Sequence, residues 1–354
     1  MKRSARWLVA VSAITMSVMG AQAAQAAGTS AGTTITNTVT VDYKVGSIAQ
    51  TTKTATNSFK VDRKVNVLVE TQDSTTVQVT PGQTQVATKF KVSNLSNAAL
   101  DFALSSAQLT GTTAKHGGTD TFDVTITGIY LDSNGSGVFD SGDQAVTYLD
   151  ELAADGSKIV FVVANVPLGL GTGDVAGVTL KATGREGGTA GSTGSMGAAL
   201  SETSSSNPMD VETVFGDSAG AADAARDAAH SDGDDYTVLA AALTVAKTSR
   251  VVSDPVNGTS SPKAIPGAVI EYCIAVSNGA GSAAANTVTV NDPVPANMTY
   301  DSSFGIKVNG SVDASGVCSV GTAGGTYASN TVSGSLSNLA AGDTKTLYFR
   351  AVID

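Results

Sequence analysis

Apolar and polar residues alternate along most of this chain in short runs, the period expected of strands whose two faces meet different surroundings. Ile35, Val39, Val41, Tyr43 and Val45 share one parity while Thr and Asn fill much of the other, predicting a half-buried antiparallel strand over residues 33–45. Val65, Val67 and Val69 repeat the pattern, followed by Val86, Phe90 and Val92, then by Phe122, Val124, Ile126 and Tyr130. Ile159 to Val163 is continuously apolar and reads as a strand covered on both faces. Further along, Ile270, Tyr272, Ile274 and Val276 face one way and Cys273 the other. Val288, Val290 and Asp292 form a strand that Pro293 and Pro295 end, because proline cannot donate to a ladder. Leu347, Phe349, Ala351 and Ile353 close the chain.

One phrase occurs twice. Pro81-Gly82 leads through an alternating run to Val92-Ser93-Asn94, and Pro266-Gly267 leads to Val276-Ser277-Asn278. Two Pro-Gly turns, each feeding a strand that ends in Val-Ser-Asn, predict one β-sandwich type used in tandem. The expected fold is therefore all-β, as tandem immunoglobulin-like Greek-key sandwiches. Residues 27–240 would form the first domain and 241–354 the second. Two stretches fit this pattern less well. Residues 184–206 are rich in Gly, Thr and Ser and read as connections. Residues 217–230 are Ala-rich and read either as a short helix or, with Asp232-Gly233-Asp234-Asp235, as an exposed mobile connection.

The start of the chain follows a different grammar. Lys2, Arg3 and Arg6 precede an apolar run from Trp7 to Met19, and Ala21-Gln22-Ala23 and Ala24-Gln25-Ala26 offer small-residue cleavage sites. This is the pattern of a secretory signal peptide over residues 1–26, so an exported protein without a membrane span in its mature chain is expected, in the periplasm, at the cell surface or outside the cell.

Composition narrows the function class. The formal net charge is −10, and removing residues 1–26 takes away three more positive charges. Such acidity with 5% aromatic residues argues against nucleic-acid and anionic-membrane partners and is compatible with divalent cations. Cys273 and Cys318 are the only cysteines, and in an exported chain an even, minimal count points to a structural disulfide.

Residues 243–354 resemble a bacterial surface-repeat family, the domain of unknown function 11. The resemblance rests on Leu243-Thr244-Val245-Ala246-Lys247, Pro266-Gly267-Ala268-Val269-Ile270-Glu271-Tyr272 and Val276-Ser277-Asn278. It continues through Val288-Thr289-Val290-Asn291-Asp292-Pro293-Val294-Pro295, Tyr300 and Ala341-Gly342-Asp343. It implies an immunoglobulin-like sandwich of the kind strung along exported proteins, and it brings no catalytic residues. The first domain is similar only loosely: Asn94 is present, but the Asp-Pro-x-Pro element is missing.

One constellation carries chemistry. Asp132-Ser133-Asn134-Gly135-Ser136-Gly137-Val138-Phe139-Asp140-Ser141-Gly142-Asp143 places oxygen-bearing side chains in the ligand order of an EF-hand-type loop. Asp132, Asn134, Ser136, Asp140 and Asp143 would supply side chains to Ca2+, Val138 would supply its carbonyl, Gly137 would permit the bend, and Phe139 would point into a core. The loop departs from the pattern in ending on Asp rather than Glu and in having strands on both sides. In that it is similar to calcium loops of dockerin-like and Sdr-type B-repeat surface proteins. The alternative is a polar hairpin loop, since the same residues dominate turns. A calcium site here would be structural.

Other candidates lead nowhere on sequence alone. His116 and His230, the only histidines, read as solvent-exposed loop residues outside any nucleophile motif. Gly169-Leu170-Gly171-Thr172-Gly173 lacks the helix and Gly-Lys-Ser/Thr of a phosphate cradle. No catalytic residue or catalytic cofactor is expected. The reading is a structural or adhesive exported protein, acting with other envelope or surface proteins or with glycans. The rivals are a soluble recognition module for a glycan or protein, and a hydrolase with carboxylates in the first domain.

Overall fold

The computed structural model describes residues 28–187 and 194–354, and every regular element among them is a strand. The signal-peptide expectation lies outside the described residues. In chain order the main strands are β1 (Thr34–Val41), β2 (Lys53–Lys60), β3 (Val67–Thr71), β4 (Val77–Val79), β5 (Val86–Asn94), β6 (Leu100–Gln108) and β7 (Thr125–Leu131). There follow β8 (Gln144–Ala145), β9 (Tyr148–Leu152), β10 (Ser157–Asn165), β11 (Val175–Arg185) and β12 (Ala229–Val238). The remainder are β13 (Leu243–Ser253), β14 (Val269–Asn278), β15 (Val288–Pro293), β16 (Lys307–Val312), β17 (Cys318–Ser319), β18 (Thr326–Ala328), β19 (Thr331–Leu336) and β20 (Thr344–Ile353).

Two five-stranded sheets enclose the first core, in the orders β8-β7-β10-β5-β3 and β9-β6-β11-β12-β4. The chain changes sheet between β5 and β6, between β9 and β10 and again between β10 and β11, the crossing habit of a Greek-key sandwich. The alternating valines do what their parity implies: Val65, Val67 and Val69 are at most 1% exposed and pack with Phe90, Val92, Phe102 and Leu180. Each such side chain contributes about 1.5–3 kcal/mol by leaving water. The run Val160 to Ala164 in β10 is buried on both faces, as its continuous apolar character requires.

The second core lies between the sheet β13-β14-β20-β16-β17 and the small sheet β15-β19-β18. Ile274, Val276, Leu347, Phe349 and Ala351 fill it. On the opposite face of β14, Cys273 is bonded to Cys318 with Cα atoms 5.5 Å apart, packed by Tyr348 and Phe304. Pro293 pairs with Thr331 as the last residue of edge strand β15, where a missing N–H is tolerated. Glu271, 3% exposed, is held between Arg250 of edge strand β13 and Arg350 of β20.

The repeated phrase is built the same way twice. Gln83 N donates to Thr80 O at 3.1 Å and Ala268 N to Ile265 O at 2.9 Å, closing turns whose third residues, Gly82 and Gly267, have φ of +78° and +83°. Those left-handed values require glycine after proline in a type II turn. At the far ends of the strands, Asn94 and Asn278 are 0% and 3% exposed. Asn94 Nδ2 donates to the carbonyls of Ala98 (2.9 Å), Leu152 (2.8 Å) and Ala153 (3.2 Å). Asn278 Nδ2 donates to Ala283 (2.8 Å), Leu339 (3.1 Å) and Ala340 (3.3 Å). Each asparagine thus ties its own following loop to a second loop some 60 residues away. Asn278 Oδ1 also accepts Ala242 N at 3.0 Å, fastening the segment between β12 and β13.

Four expectations are corrected. The 33–45 segment is not half-buried: β1 pairs only with β2 in a ribbon exposed along its length. The strand expected from Phe122 begins at Thr125, and a register shift between Ile126 and Gly128 breaks its parity. Residues 217–228 form neither helix nor strand. Asp217, 3% exposed, folds them by accepting Asp227 N and Ala228 N, each at 3.0 Å. Finally, Asp232-Gly233-Asp234-Asp235 is no exposed connection but the middle of β12, next to the centre of its sheet.

Candidate metal loop and a buried acidic seam

The 132–143 loop joins β7 to β8. Gly135 and Gly137 both have φ of +71°, so the bend assigned to Gly137 is real and is shared with Gly135. Asp132 accepts Ser136 N and Gly137 N, each at 3.0 Å. Asp143 accepts Asp140 N at 2.9 Å and Ser133 N at 3.3 Å, closing the loop on itself. Ser136 Oγ donates to Val138 O at 2.8 Å, and the Val138 side chain stands in solvent. Phe139 does not enter the core as expected: half-buried, it packs its ring 5.0 Å from Tyr130 and 6.0 Å from Phe161, which lies on the face of β10 opposite to the core residues Val160 and Val162. Asp140 is held below the usual carboxylate range, first by the Gly142 N–H and then by the Asn134 amide. That amide nitrogen lies 3.0 and 3.1 Å from the two oxygens of Asp140, while the Asn134 Oδ1 that a cation would need accepts Ser136 N at 2.9 Å.

The donor set is entirely oxygen, which suits a hard divalent ion. Its carboxylates are spread around the loop on backbone N–H groups. Among the described residues, no three His, Cys, Asp or Glu side chains gather closely enough to hold a metal.

A second polar cluster escaped the reading of the sequence. In β12, His230, Asp232, Asp234 and Tyr236 share one parity and face the other sheet along β3. Strand β4 covers β12 only from Tyr236 to Val238, so further back its edge meets the edge of β3. Side chains replace the missing ladder there. Val69 N donates to His230 Nδ1 (3.2 Å), Thr71 N to Asp232 Oδ2 (2.9 Å) and Thr71 Oγ1 to Asp234 Oδ2 (2.5 Å). Lys115 reaches Asp232 at 2.6 Å, while His116 N donates to Asp235 at 2.6 Å.

Both histidines are therefore corrected from solvent-exposed loop residues. His230 is 9% exposed within a strand, and His116 packs against the seam, its Nε2 3.3 Å from Asp234 without hydrogen-bond alignment. Burial pushes the Asp234 carboxyl up to about 8, with Asp73 adding to the rise against the lowering bonds of Thr71 and Asp235 N. The signal that could have revealed the cluster is its period of two, running directly into buried Tyr236. A glycosidase pair needs two carboxylates reachable by one substrate. The Asp234 side chain has no exposure, so no substrate reaches it as half of such a pair.

No family model matches this chain, and no curated protein matches it either. The resemblance of residues 243–354 to the surface-repeat family therefore rests on the quoted residues alone. Solved structures are similar in outline. The C-terminal domain of the AgI/II polypeptide BspA from Streptococcus agalactiae is 10% identical, with 82% of this chain and 91% of that chain covered and a TM-score of 0.35. The CsuC–CsuE chaperone–tip adhesion subunit pre-assembly complex from archaic chaperone-usher Csu pili of Acinetobacter baumannii is 11% identical, covering 81% and 94%, with a TM-score of 0.23. At these scores the likeness carries no inference about what this chain does.

Proposed function

We propose that this is an exported, non-catalytic surface protein with a structural or adhesive role, its first sandwich clamped by Ca2+ in the Asp132–Asp143 loop. The observation that carries the reading is one scaffold built twice. In each copy a buried asparagine is used to pin loops together, and the second copy adds a disulfide suited to an oxidising compartment. The calcium assignment is supported by the ligand order and by the two left-handed glycines. The ion would sit among Asp132, Asn134, Ser136, Asp140, Asp143 and the Val138 carbonyl, stiffening the β7–β8 connection. A second reading, recognition of a glycan or protein, is favoured by a recess of about 920 Å³ beside the seam, lined by Glu70, Lys115 and Asp232.

Thermal unfolding of the exported chain in millimolar calcium and in chelator tests the clamp, with Asp132→Ala beside it. A rise in midpoint with calcium that the variant lacks is expected. An unchanged midpoint would leave a plain hairpin loop. Protease treatment of intact cells tests the location, since a surface protein is lost while an internal control survives. Binding to an immobilised glycan panel at micromolar concentrations would move the assignment to the second reading.

A further inference from the structure

The β1–β2 ribbon has two unlike faces. Thr36 pairs with Ser58 (2.9 Å) and Thr38 with Thr56 (3.0 Å) through their hydroxyls, so the polar face satisfies itself. The other face carries Ile35 opposite Phe59 and Val39 opposite Ala55, followed by Val41. Ile35, Val39, Val41 and Phe59 are 38–55% exposed, and nothing else among the described residues covers them. A two-stranded ribbon is marginal by itself, and two exposed apolar patches, Ile35 with Phe59 and Val39 with Ala55 and Val41, separated by the Asn37–Asn57 pair, make this face a docking surface. Its charge says for what. Residues 33–60 hold Lys44, Lys53 and Lys60 against Asp42 alone, while the whole chain has 31 acidic and 21 basic residues. A basic arm on an acidic protein is complementary to another copy of that protein.

The first sandwich offers a matching seat. Pairing of β6 with β9 runs to Ala103 and is continued by Leu104 N donating to Thr147 O at 2.9 Å, and pairing of β7 with β8 at Tyr130 is continued by Val146 N donating to Ile129 O at 2.9 Å. Past these bonds the two sheets end side by side on a groove of about 910 Å³, lined by Leu104, Ile129, Val146 and Leu149 with Asp150 and Lys158 on its wall. We propose that the ribbon of one copy seats its apolar face in this groove of the next. Val39 and Val41 lie against the leucine-lined floor, and Lys44 and Lys53 are drawn by Asp150. Ribbon-to-ribbon pairing would instead bring like lysines together. Seat and arm are different surfaces, so the contact is head-to-tail and extends into chains or closes into rings.

Sedimentation velocity of the full chain, produced with its own N-terminal segment, tests this over a concentration series at low and high salt. Concentration-dependent association that weakens with salt is expected. Val39→Lys and Asp150→Lys should each reduce association at least about tenfold. Thr38→Ala, on the self-satisfied face, should leave it unchanged, and unaltered thermal transitions exclude misfolding. An equimolar mixture of Val39→Lys and Asp150→Lys retains one good arm and one good seat and should form a pair that grows no further. A wild-type chain that stays monomeric would overturn the proposal. So would an Asp150→Lys variant that associates normally while Val39→Lys does not, the pattern of ribbon-to-ribbon pairing.

Discussion

Replacing Asn278 by alanine removes a side chain that is 3% exposed and makes five contacts: three carbonyls accept from its amide, while Ala242 N and Ser282 Oγ donate to its oxygen. A hydrogen bond contributes about 1 kcal/mol net, and a buried group left without its partner costs ~1–3 kcal/mol. The bonds at 2.7–3.0 Å count fully, and those at 3.1 and 3.3 Å share the same two amide hydrogens. The expected loss is about 3–5 kcal/mol, confined to the second sandwich. Asn94→Ala should cost about 3–4 kcal/mol in the first, where Ser96 N at 3.0 Å takes the place of the two donors. Urea unfolding followed by circular dichroism and tyrosine fluorescence measures both, with constant slopes confirming that stability alone has changed. Asn278→Asp sharpens the test. A carboxylate turns acceptors toward three carbonyls, so at neutral pH it should destabilise more than alanine and recover as acid restores one donor. A loss below about 1 kcal/mol for either alanine variant, or an equal shift in both transitions, would refute the pinning role.

Removing the disulfide by Cys273→Ser with Cys318→Ser opens a link of sequence separation 45. Chain entropy then predicts about 4 kcal/mol lost from the second sandwich alone, which calorimetry of the variant against the oxidised wild type would read. Asp234 gives a pH signature. Burial raises its folded pKa from 3.8 to about 8, so between these values the folded state binds the proton more tightly than the unfolded one. The stability this contributes is fully present below the lower value and is lost as pH rises through the upper. Asp234→Asn should flatten that slope, seen as urea midpoints that no longer fall between about pH 5 and pH 8.5.

Local rules made much of this fold legible in the residues. Alternating valines name strands because a pleat has a period of two, and Pro81-Gly82 and Pro266-Gly267 name turns because only glycine accepts the third position easily. Asn94 and Asn278 could be singled out by their repeated setting, and Cys273 with Cys318 by elimination in an exported chain. In the 132–143 loop the bend at Gly137 was equally readable, since it depends on near neighbours. What the sequence left undecided depends on distant partners. Alternation over 33–45 says that the two faces of a strand differ; it does not say that anything covers the apolar one, and among the described residues nothing does. Asp232 to Asp235 looks like a solvated loop because charge belongs in water unless something replaces that water. The open edge of β3, more than 150 residues away, supplies the N–H and hydroxyl donors that do. Periodicity determined where strands form; only the tertiary structure decided which edges meet, and with them which polar side chains could be buried.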